Sequence, residues 1–202
     1  MEQQNIVDTI VHFEDQTAIY KISDALLDLL PSQKNQPVII ICIGTDRSTG
    51  DSLGPLIGSF LSEAGMNIFH VYGTLESPVH AMNLKEILQY VKKSYKNPFI
   101  IGIDACLGRI ESIGEIKVGT GPIKPGAGVN KKLPEVGEAF ITGIVNMAGH
   151  MEFVVLQNTR LNLVMKLAKK ISAALVEADR IYDKKTTFQS IGFNLVKRKP
   201  AK

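Results

Sequence analysis

The sequence predicts an α/β domain built on a mostly parallel sheet with helices on both faces. Two apolar runs carry that expectation: Val38 to Ile43 and Phe99 to Ile103. Both are too short for helices and apolar at every position, as strands buried on two sides are. The third observation is their setting. Strand-like runs alternate with amphipathic segments, and a strand-helix-strand-helix-strand succession closes into a parallel sheet by right-handed crossovers. With 202 residues, 45% of them hydrophobic and 21% charged, the chain is long enough to bury a sizeable core in one domain.

Taken in order, Asp15 to Leu30 places Ile19, Ile22, Ala25, Leu26, Leu29 and Leu30 on one helical stripe. Pro31 and Pro37 bracket its exit, and the strand Val38 to Ile43 follows. A turn at Asp46 to Gly50 leads to a helix carrying Leu53, Leu56, Ile57, Phe60 and Leu61, with Pro55 in its first turn where proline is tolerated. Gly65 ends that helix. Asn67 to Gly73 reads as a short strand, Thr74 to His80 as a polar loop, and Leu84 to Val91 as the next amphipathic helix. After the strand Phe99 to Ile103, Gly114 to Gly119 alternates like an edge strand. Thr120 to Lys132 is too rich in Gly and Pro to continue a sheet. Glu138 to Val145 is the last strand, and Met151 to about Ala178 is helical with a break or new cap at Asn158-Thr159. Residues 1–180 are thus expected to form one domain, and 181–202 a basic tail.

The net charge of +3 is mild, and part of it lies in Lys197-Arg198-Lys199-Pro200-Ala201-Lys202. A basic tail of this kind is a weak signal for nucleic acid, which is not expected as a partner. No apolar stretch reaches the ~18 residues of a membrane span, and no secretory leader follows Met1. A cytoplasmic protein is expected, with Cys42 and Cys106 as reduced thiols acting as small buried hydrophobes.

Asp51 and Asp104 stand at or just beyond the ends of the two most apolar strands, the edge where open parallel sheets bind ligands. Asp51 also suits a helix N-cap, and Asp104 a strand-end turn. Two carboxylates facing one cleft can divide acid and base roles on a water molecule. They can equally hold a divalent metal, with His150 as a third ligand. Asp46 and Arg47, in the same turn as Asp51, read as an intraloop ion pair. His70 and His80 are lesser candidates, one in a strand and one at a helix start. Gly126, Gly128, Asn130 and Lys131 belong to a loop able to wrap an anion or a peptide backbone. A P-loop and a dinucleotide fingerprint are excluded by their missing residues.

Three stretches, Gly44 to Pro55, Gly102-Ile103-Asp104-Ala105, and Pro125 to Lys132, resemble the signature regions of the bacterial germination protease that degrades small acid-soluble spore proteins. From Ile19 to Ala178 the chain is more similar to the shorter YyaC-type sporulation proteins. The resemblance implies a three-layer α/β sandwich around a twisted, mostly parallel sheet, shared with hydrogenase-maturation endopeptidases. It implies Asp51 and Asp104 as catalytic aspartates of a peptidase that requires no cofactor. Substrate contacts would come from Asp46, Arg47, Gly126, Gly128, Asn130 and Lys131, with Lys131 opposite a developing oxyanion. Under the maturation-peptidase alternative, Asp51, Asp104 and His150 would bind metal. A non-catalytic protein that holds a peptide in the same cleft is the other alternative. The implied partner is a protein or peptide, small acid-soluble spore proteins first, in the cytoplasm of a spore-forming bacterium or its spore. The chain is much shorter than the germination protease and has no evident activating propeptide.

Overall fold

The computed structural model describes residues 6–32, 36–126 and 133–196, with side chains up to Thr187. In chain order the elements are β1 (Ile6–His12), α1 (Ala18–Leu29), β2 (Val38–Cys42), α2 (Leu53–Ala64), β3 (His70–Tyr72) and α3 (Leu84–Ser94), then β4 (Phe99–Gly108), β5 (Glu115–Thr120), β6 (Ala139–Met147), α4 (Glu152–Gln157) and α5 (Leu161–Val196). The six strands form one sheet in the order β1-β5-β6-β4-β2-β3. Strands β2, β3, β4 and β6 run parallel, while β5 is antiparallel to both β6 and β1. The expected mostly parallel sheet flanked by helices is the observed architecture.

The continuous apolar character of β2 has a direct cause: both of its faces are covered. Val38, Ile40 and Cys42 face α1, α2 and α5, where Ile22, Leu26, Leu53, Ile57, Leu167 and Ile171 complete the larger core. Ile39, Ile41 and Ile43 face the other way, against Leu84, Leu88 and Val91 of α3 and against Ile123 and Val136. Successive side chains of a strand point to opposite faces, so alternate residues feed separate cores. Truncating one, Ile40→Ala for example, costs about 3 kcal/mol in lost transfer energy and cavity.

Helix α5 is held by apolar side chains at three- and four-residue spacing, from Val164 through Leu175 to Ala178, all fully buried. It then contributes a polar anchor. Asp179, 1% exposed, accepts the backbone N–H groups of Asn67, Ile68 and Phe69 at 2.7, 3.1 and 2.9 Å. The segment entering β3 is thereby fixed to a helix more than a hundred residues away in sequence.

Three differences from the sequence reading have physical reasons. Strand β1 was not foreseen, because an edge strand with only Val11 buried leaves a weak pattern. Strand β4 runs to Gly108, five residues past the apolar stretch, because it continues to pair with β6 after β2 has ended. Helix α5 does not stop near Ala178: it passes position 180 to Val196 and buries Tyr182, whose hydroxyl donates to the Pro31 carbonyl at 2.7 Å.

Candidate active site

The chain steps from β2 outward to β3, then back to β4 and on to β6. The order therefore reverses between β2 and β4, the position at which open α/β sheets form a crevice at the carboxyl ends of their strands. The last pair between them is Cys42 with Ile103. One residue later β4 presents Asp104, now bordered by β6 on one side only, with Thr142 as its register partner. The same cross-strand row continues to Lys117 on β5.

Asp51 reaches this edge from the other side. After β2, Gly44 adopts φ +147°, and a Cβ there would stand 1.9 Å from the Asp51 carbonyl oxygen. That oxygen also accepts the Thr45 N–H at 3.1 Å. Gly54 sits equally close to the strand end, where a Cβ would meet the Ile43 carbonyl oxygen at 2.1 Å. These two glycines let the start of α2 press against the end of β2. Asp51 itself lies in a short 3-10 turn, Gly50–Ser52. The expected N-cap role is not the one observed: Ser52 occupies the N-cap position, with no side-chain cap hydrogen bond.

Both aspartates border one cavity of about 1100 Å³. Its walls come from the β2 exit (Ile43, Gly44, Thr45), from His80 and Ala81, from β4 between Asp104 and Leu107, from Lys124 to Gly126 with Leu133, and from Gly149 to Phe153 with Leu156. Burial raises the Asp104 carboxyl to about 8; its own Ala105 N–H, donating to Oδ1 at 2.8 Å, opposes the rise, and the Asp51 charge adds to it. Burial also raises Asp51, moderated by Ser48. The buried Ser48 hydroxyl approaches that carboxyl without meeting strict hydrogen-bond geometry. Neither aspartate has an ion-pair partner among the described residues. Cys106 shares the cavity face of β4, and burial with the neighbouring Asp104 charge pushes its thiol up to about 12. It stays protonated near neutrality and is no thiolate nucleophile.

The other sequence-derived candidates are distributed unevenly. Gly126 borders the cavity, whereas Gly128, Asn130 and Lys131 lie outside the described residues. Asp46 and Arg47 are exposed and line a smaller adjoining cleft with Pro78, His80 and Met82. The ion pair expected between them is not among those of the described residues. His150 is exposed on the cavity wall. It shares that cavity with both aspartates, yet among the described residues no three His, Cys, Asp or Glu side chains converge closely enough to hold a metal ion.

His80 also stands on the wall of this cavity. Its position depends on a single bridge, Val79 beside Ile43, and on the Gly44 N–H donating to the Val79 carbonyl at 2.8 Å. Neither is visible in a loop sequence. Met151, at the N-cap of α4, and Phe153 within that helix stand exposed at the cavity wall, 72% and 56% accessible.

Among the described residues no helix is long and apolar enough to cross a membrane. Residues 10–174 match the family described as "Protein of unknown function (DUF1256)". The chain is 51% identical over 177 residues to "Uncharacterized protein YyaC" of Bacillus subtilis (strain 168), covering 88% of this chain and 86% of the relative.

Proposed function

The chain belongs to the DUF1256 family, and on that premise we propose that it is a peptide-bond hydrolase in which Asp51 and Asp104 divide the work of base and acid. One observation carries the reading: two carboxyls face one cavity at the switch point of the sheet, with no ion-pair partner among the described residues and a single backbone donor, the Ala105 N–H, on Asp104.

Their environments support a division of roles. Asp104, the more deeply walled, carries the proton at neutral pH, and Asp51, beside Ser48, is the base. Pairs whose surroundings push their affinities for protons apart act in this way. Asp51 takes a proton from water, and the water oxygen bonds to the carbonyl carbon as the C=O π pair moves to oxygen. When the tetrahedral centre collapses, the C–N bond breaks and the amine takes the Asp104 proton. One water is consumed, giving a carboxylic acid and an amine. Exchange with solvent returns the proton from Asp51 to Asp104.

The three motifs that resemble the germination protease, together with a Bacillus relative, favour a sporulation setting. Small acid-soluble spore proteins are the first substrates to offer, and the cytoplasm or developing spore is the proposed compartment. The test is degradation of those proteins by the purified chain, with Asp51→Asn and Asp104→Asn as controls and with chelator present or absent. The expected result is cleavage indifferent to chelator and reduced at least about 10³-fold in each variant. A folded, concentrated wild-type sample that cleaves none of them, while binding them through the cavity, would instead make this a binding protein.

A further inference from the structure

We infer that His80 is a third catalytic group, an imidazole whose Nε2–H donates to the carbonyl oxygen of the bound peptide and to the oxyanion that replaces it. This rests on the peptide-hydrolysis reading above.

The argument is an accounting of the polar atoms of His80. Its backbone N–H donates to Asn83 Oδ1 at 2.8 Å. Its carbonyl accepts the N–H groups of Asn83 and Leu84 at 3.1 and 2.9 Å. Its Nδ1 accepts the Met82 N–H at 3.3 Å. With Nδ1 turned to the Met82 N–H, Nε2 is the ring nitrogen left to carry a hydrogen bond to a ligand. Among the described residues Nε2 has no partner, and the half-buried ring borders the cavity that holds Asp51 and Asp104.

The position is also rigid. Val79 is bridged to the end of β2, Asn83 ties the loop closed by donating to the Pro78 carbonyl at 2.9 Å, and α3 begins immediately after. A donor held before the substrate arrives needs no reorganisation as charge develops, which is what makes such donors effective. An imidazole N–H suits this role because it polarises a carbonyl by hydrogen bonding. In the hydrolysis scheme Asp104 delivers its proton to the leaving amine, so the oxyanion calls for a separate donor.

The experiment compares cleavage of one peptide substrate by wild type, His80→Ala and His80→Gln, with thermal unfolding of each. Glutamine is chosen because its amide nitrogen can reach the place of Nε2. Expected are a loss of about 10² in kcat for His80→Ala with KM changed less than about twofold, recovery of about tenfold in His80→Gln, and unchanged unfolding midpoints. Equal kcat in wild type and His80→Ala would overturn the role of His80 and leave hydrolysis standing. A loss in kcat matched by lost stability, with no rescue by glutamine, would reduce His80 to a structural residue. A wild type that cleaves nothing would overturn both readings together.

Discussion

Two aspartates are withdrawn from bulk water in this fold, and they are treated in opposite ways. Asp179 on α5 accepts three backbone N–H groups and so closes the hydrogen-bond account of the segment entering β3. Asp104 on β4 receives one, from its own neighbour Ala105, and faces an open cavity beside a second carboxyl. A buried carboxylate with a full set of donors is part of the frame. One left short of donors is costly to ionise, and a fold that keeps it there gains chemistry rather than stability.

The comparison breaks most visibly at Asp179. Asp179→Ala leaves three N–H groups without their acceptor, and we expect a loss of about 4 kcal/mol in urea unfolding, with unimpaired turnover in the molecules that remain folded. Next in size is Gly54→Ala, where the added Cβ meets the Ile43 carbonyl oxygen. Forcing α2 away from β2 should cost about 3 kcal/mol, and, unlike Asp179→Ala, it should also lower turnover because Asp51 moves with the helix start.

At Asp104 the sign reverses. A carboxyl raised on folding from 3.8 to about 8 stays protonated in the native state while the unfolded chain ionises. Its contribution to stability therefore falls as pH rises from about 4 to about 8 and is level above that. Asp104→Asn removes this burden. Calorimetry should find the Tm of the variant above that of wild type at pH 8 and equal to it near pH 4, although it no longer cleaves. The pH profile of kcat/KM should be bell-shaped, limited on the acid side by protonation of the raised Asp51 and on the alkaline side near pH 8 as Asp104 ionises. The smallest effect belongs to Cys106→Ser. Its thiol is protonated and not required, so stability should change by less than about 1 kcal/mol and cleavage should persist.

The same contrast shows what a sequence can disclose. The faces of β2 and the stripe of α5 were legible because burial repeats with the period of the element, and the meeting of Asp51 and Asp104 at one cavity was legible because Asp104 ends one apolar run and Asp51 follows the turn after another. Strand β1 was hidden by having a single buried residue, and the length of β4 by its dependence on a partner distant in sequence. His80 was hidden for the same reason as the donors of Asp179. Its meaning comes from the bridge between Val79 and Ile43, and a loop residue carries no periodic trace of what it will lie beside.

The most direct test of the central claim is a titration of the Asp104 carboxyl by carbon-13 NMR in wild type and in Asp51→Asn. The account predicts a midpoint near 8 in wild type, moving lower in Asp51→Asn as the neighbouring charge is removed. A midpoint in the ordinary aspartate range, indifferent to Asp51→Asn, would contradict it and leave the two carboxyls as unconnected features of the cavity wall.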